Sequence, residues 1–119
     1  MMESEGIAFC VIVRDVEHSE EIIAALMEAG ASGVTIINSH GLSQATFHTH
    51  SAELSIASVM SSLFTSDKHE SRVLVCLSKD EAQVKVFCER VAQASPNIDQ
   101  RGSLIHFAIP VSHLRGLVG

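Results

Sequence analysis

Apolar residues along the chain switch between a strand spacing and a helical one. Residues 6–14 read Gly-Ile-Ala-Phe-Cys-Val-Ile-Val-Arg, an apolar, β-branched run of strand length. Asp15 to Ser19 turns the chain, and Ser19 is the predicted N-cap before Glu20 and Glu21, whose charges suit a first helical turn. Ile22, Ile23, Leu26 and Met27 then recur at helical spacing, with Gly30 where a left-handed residue ends a helix. Residues 33–39 predict a second strand. The polar, Ser-, Thr- and His-rich stretch 40–54 reads as a long loop, a feature that in a small domain is usually functional or mobile. Ile56, Val59, Met60, Leu63 and Phe64 predict a short amphipathic helix over 55–64. A third strand follows at 72–77, and Ser78-Lys-Asp-Glu81 has the form of a capping box. Val84, Phe87, Cys88 and Val91 make one stripe of the next helix. Residues 94–102, with Pro96, form a loop, and 103–109 predict a fourth strand that Pro110 ends or confines to an edge.

The order is β-α-β, an inserted helix, then β-α-β, in one domain spanning 1–119. Right-handed crossovers of two such units give an α+β, ferredoxin-like fold: a four-stranded antiparallel sheet with both helices on one face. Such a sheet should alternate apolar and polar residues if its other face is wet. The first strand instead sends Ile7, Phe9, Val11 and Val13 one way and Ala8, Cys10 and Ile12 the other. The third repeats this, with Val73, Val75 and Leu77 against Leu74 and Cys76. A second apolar face predicts an oligomer, with the alternative that helix 55–64 folds under the sheet.

Composition narrows the function. With 46% hydrophobic and 18% charged residues, the chain is not of the disordered class. Eight basic residues against fourteen acidic ones give a net charge of −6, which disfavours phosphate backbones and anionic membranes. No apolar run reaches the length of a membrane helix, and the acidic start lacks the basic region of a signal peptide. Cys10, Cys76 and Cys88 each sit in an apolar pattern, so the expectation is a cytoplasmic protein with reduced thiols.

No GxSxG, HExxH, Walker A, GxGxxG or CxxC motif occurs, and nothing points to an enzyme. Glu20/Glu21 and Asp80/Glu81 are paired carboxylates, but they lie in first helical turns where they favour the dipole. An RNA-recognition module is rejected because the central strands offer Phe9 and no second aromatic. His40, His48 and His50 cluster in or beside the long loop. His48-x-His50 on an extended segment would send both imidazoles to one side, fit for a divalent metal, although solvated loop histidines explain the same pattern. His106 and His113, in and just beyond the fourth strand, read as packed or hydrogen-bonded structural residues. Arg101-Gly102 and Arg115-Gly116 each place a guanidinium beside a flexible backbone, able to grip phosphate or carboxylate or simply to sit in a turn.

These segments together resemble the nitrogen regulatory PII-like superfamily over nearly the whole chain. Residues 22–35 look like the family's first helix and its Gly-x-Thr approach to the second strand. Ser39-His-Gly41 with Gln44 resembles the base of the family's long signalling loop, and 102–117 is similar to the ending of short PII-like proteins. The resemblance implies a homotrimer that binds a small effector, a nucleotide or a small anion, in clefts between subunits. It implies signalling to a protein target through the 40–54 loop. The matching effector-binding positions are Gly33, Thr35, Gly41 and Gln44, with Arg101, Gly102 and Arg115 matching more loosely. The second loop, Ala-Ser-Pro-Asn-Ile-Asp-Gln-Arg-Gly at 94–102, has no phosphate-gripping lysine, and Asp99 would repel phosphate. The alternative is a metal-binding trimer of CutA-like architecture using His40, His48 and His50. A third reading is an ACT-like amino-acid sensor, a domain that usually accompanies an enzyme.

Overall fold

The computed structural model describes residues 4–14, 16–40, 70–95 and 104–117. The order of elements is β1 (Ser4–Val13), a 3-10 turn (Val16–His18), α1 (Ser19–Glu28), β2 (Thr35–His40), β3 (Glu70–Ser78), α2 (Glu81–Ala94) and β4 (Leu104–Leu114). The strands form one antiparallel sheet in the order β2-β3-β1-β4, the ferredoxin-like α+β arrangement. Apart from His40, the predicted loop over 40–54 lies outside the described residues, as does the predicted helix over 55–64.

Both helices cover one face of the sheet. Phe9, Val11 and Val13 of β1 are buried there with Leu74 and Cys76 of β3, Ile22 and Leu26 of α1, and Phe87 and Val91 of α2. The Phe9 and Phe87 rings meet at 5.6 Å with a 41° tilt, the offset geometry that aromatic quadrupoles favour. His106 of β4, paired with Val11, packs on the same face with its ring 5.6 Å from that of Phe9 at a 40° tilt, a packed residue as its strand position predicts.

The other face is apolar too. Pairing places Ile105 beside Ile12, Phe107 beside Cys10, Ile109 and Leu77 beside Ala8, and Ile37 beside Val73. Ile37, Leu77, Ile105, Phe107 and Ile109 are each between 37% and 48% exposed, large side chains in one contiguous patch.

The element ends depart from the sequence reading in instructive ways. Ser19 is the first residue of α1 and not its cap; His18 holds that place with no side-chain cap bond. The 3-10 turn draws Ser19 inward, where its hydroxyl donates to the Val16 carbonyl and accepts from Arg72 at 2.7 Å. At α2 the cap is Asp80, whose carboxylate accepts from the Ala82 N–H at 2.8 Å, so the cap lies two residues after the expected Ser78. Gly30 does take a left-handed conformation, with φ at 99°, and Ala31 N–H closes the helix end onto Leu26 O at 3.1 Å. Strand β4 runs four residues past Pro110, to Leu114, because it is an edge strand whose outer side asks nothing of the missing N–H. His113 therefore lies within β4, exposed and with φ at 57°. His40, placed by its composition in the loop, is the last residue of β2 and pairs across to Glu70.

Candidate functional site

One end of the sheet gathers the start of β2, the end of β3, the start of β1 and the end of β4. The antiparallel register dictates this: Thr35 pairs with Val75, Ile7 with Ser78, and Ser4 with Leu114. The chain leaves β4 at Leu114, which is buried against Gly6; a Cβ on Gly6 would stand 2.5 Å from the Leu114 Cδ2. Gly116 then takes φ at 92°, a conformation open to glycine, and it and Leu117 lie at this same end of the sheet.

The result is a cleft of about 330 Å³ lined by Ser32, Gly33, Thr35, Val75, Leu77, Gly116 and Leu117. Four parts of the fold supply it: the α1–β2 turn, the first residue of β2, the end of β3, and the residues after β4. Thr35, Val75 and Leu77 belong to the face of the sheet that the helices leave open. Val75, Leu77 and Leu117 give an aliphatic wall, while Ser32 and Thr35 bring hydroxyls and the two glycines expose backbone. Such a lining suits the body of a small molecule with a few placed hydrogen bonds. The exposed Arg115 stands next to Gly116 in the chain.

Of the sequence-predicted effector residues, Gly33 and Thr35 line this cleft, while Arg115 is outside its lining and adjoins it only in the chain, next to Gly116. Gly41, Gln44, Arg101 and Gly102 lie outside the described residues, as do His48 and His50. His40 is exposed at the far end of β2 from Thr35. Among the described residues no group of three His, Cys, Asp or Glu side chains could hold a metal ion. Sequence reasoning did not assign Ser32, Val75, Leu77 or Leu117 to a site. The signal for Val75 and Leu77 was present, since both fall on the outward alternation of the third strand.

The cysteines are set up as packing residues. Burial pushes the Cys76 thiol up to about 11, with the neighbouring Cys10 adding to the rise, and burial also raises Cys10 and Cys88. A neutral thiol is a poor nucleophile and a poor metal ligand. Among the described residues no helix is long and apolar enough to cross a membrane.

No family model matches the sequence, and no curated protein matches it. Solved structures do match in shape. A structure of CPII from Thiomonas intermedia K12, bound to ADP, AMP and acetate, superposes with a TM-score of 0.57 at 13% identity, over 97% of this chain and 94% of that one. PII of Arabidopsis thaliana bound to citrate gives 0.59 at 19% identity, over 92% and 79% of the two chains. A DUF3240 family protein from Shewanella baltica OS155 gives 0.59 at 13% identity, over 99% and 100%. CPII is described as a nitrogen regulatory PII-like protein. At these identities the likeness is one of fold.

Proposed function

This chain has the fold of the PII-like proteins, and we propose that it is a regulatory homotrimer that binds a small effector in clefts between its subunits. The observation that carries the reading is where the cleft opens. Val75 and Leu77 line it, and they belong to the same open sheet face as Ile37, Ile105, Phe107 and Ile109. A second copy that covers this apolar patch also closes the cleft, so that ligand site and interface form one surface. Burying such a patch is favourable at about 25 cal/mol per Å² of apolar area.

The effector is a nucleotide or a small anion. The aliphatic wall takes an uncharged ring or chain, Thr35, Gly33 and Ser32 supply hydrogen bonds, and Arg115 offers a guanidinium for phosphate or carboxylate. By the family resemblance, Arg101, Gly102, Gly41 and Gln44 also belong to the effector-binding set, and residues 40–54 signal the bound state to a protein target in the cytoplasm. The nucleotides held by CPII and the citrate held by the plant PII support this class of ligand. The proposed role is regulatory, the role described for CPII, whose fold this chain shares.

Native mass spectrometry of untagged protein, followed by titration with ADP and with inorganic phosphate, tests the reading. The expected result is a trimer that binds one of the two probes, with Arg115→Ala weakening that binding on the order of tenfold at unchanged thermal stability. A monomer, or equal affinity in the variant, overturns it. A divalent metal in the purified trimer that disappears in His48→Ala and His50→Ala would instead establish the metal-binding alternative with His40, His48 and His50.

A further inference from the structure

The ladder between β2 and β3 stops at the Thr35–Val75 pair. Beyond it, the two walls of the cleft diverge: Ser32 and Gly33 follow the end of α1, while Leu77 leads into the end of β3. Their separation is not set by strand pairing. A single side chain reaches between the segments that carry them. The Gln83 amide, on the first turns of α2, accepts from the Ser78 hydroxyl at 2.6 Å and donates to the Gly30 carbonyl at 2.9 Å. Ser78 directly follows Leu77, is 1% exposed, and also accepts from the Asp80 N–H at 3.1 Å. Gly30 is the left-handed residue that ends α1, two positions before Ser32.

We propose that Gln83 is a positioning residue for the effector cleft, clasping its Ser32–Gly33 wall to its Leu77 wall through Gly30 and Ser78. This rests on the cleft being the effector site. The chemistry requires a group that accepts at one end and donates at the other in one fixed plane. An amide does both, whereas a carboxylate only accepts and an ammonium only donates. Gly30 completes the fit, since its carbonyl is presented from a backbone with φ at 99°, a conformation that favours glycine. The clasp acts at a distance from the ligand: Gln83 does not line the cleft, so its loss changes the spacing of the walls and removes no contact.

Gln83→Met keeps the length and volume of the side chain and removes both hydrogen bonds, so it separates the clasp from packing. Gln93→Met, on the same helix but near its far end, is the control. Amide exchange in the full-length protein should rise about tenfold at Ala31 and Asp80 in Gln83→Met, whose protecting bonds lean on the two ends of the clasp, and stay unchanged at Phe9 and Val11 in β1. The dissociation constant for ADP should rise threefold to tenfold on the same scale, with both quantities unchanged in Gln93→Met. Exchange at Ala31 and Asp80 equal to wild type, or rising by the same factor at Phe9, would overturn the clasp. Undiminished ADP affinity in a locally loosened variant would overturn its link to binding. Should the wild-type protein fail to bind ADP, the effector reading fails for that nucleotide, while the exchange rates still decide the clasp.

Discussion

Position 6 shows how little room separates a tolerated residue from a disruptive one. A methyl group on Gly6 would meet the Leu114 Cδ2 at 2.5 Å and the Ser78 carbonyl oxygen at 2.9 Å. The leucine tip can move, but the carbonyl is part of β3 and cannot. Gly6→Ala should therefore lower stability by about 1–3 kcal/mol, read as a fall in the urea midpoint. Cys76 makes a second residue-scale prediction. Its thiol rises from 9.0 to about 11 in the folded chain, chiefly through burial. Between those values the unfolded chain has lost a proton that the folded one keeps. Stability is thus fully present below pH 9 and falls as pH rises towards 11, by roughly 2 kcal/mol. Thermal melts from pH 8 to 11 should show this fall in wild type and a shallower one in Cys76→Ala. Gly30 was legible in the sequence because a glycine after a helical stripe has one common use. Ser19 was not, because its capping chemistry was outcompeted by Arg72, a partner that only the tertiary fold brings near.

Among the elements, α2 carries the clearest lesson. Ser78 and Glu81 have capping-box spacing, yet the Ser78 hydroxyl is committed to Gln83 and Asp80, so Asp80 caps the helix. Asp80→Ala should cost about 1 kcal/mol, measured by chemical denaturation, while Lys79→Ala on the preceding residue should cost almost nothing. The strands were readable at their centres and not at their ends. Alternation in β1 and β3 gave the face of every residue from Ile7 to Val13 and from Val73 to Leu77, since a period of two admits two phases only. Where a strand stops is decided by its neighbour. Leu104–Leu114 outlasts Pro110 because β1 continues to pair with it at Val111 and again at Leu114.

On the scale of the molecule, the sheet order and the two apolar faces followed from pattern, and the cleft did not. Gly33 and Thr35 could be singled out by resemblance, but the meeting of Thr35 with Gly116 and Leu117 depends on the register and on the turn after β4. The open face governs assembly under the proposed reading. Phe107→Glu would place a charge beside Cys10 in the middle of that face, at a site already 41% exposed. The variant should be monomeric by native mass spectrometry, and its thermal midpoint should be independent of protein concentration, whereas that of the wild-type oligomer should rise with it. One last feature bears on how such a protein changes over time. The β2–β3 ladder closes at His40 and Glu70, so the chain departs from the sheet and rejoins it at adjacent cross-strand positions, only about 5 Å apart. Spanning so small a gap asks almost nothing of what lies between, and doubling the intervening length costs only about 0.6 kcal/mol. Lineages can therefore lengthen, shorten or rewrite residues 45–69 while the sheet stays in register.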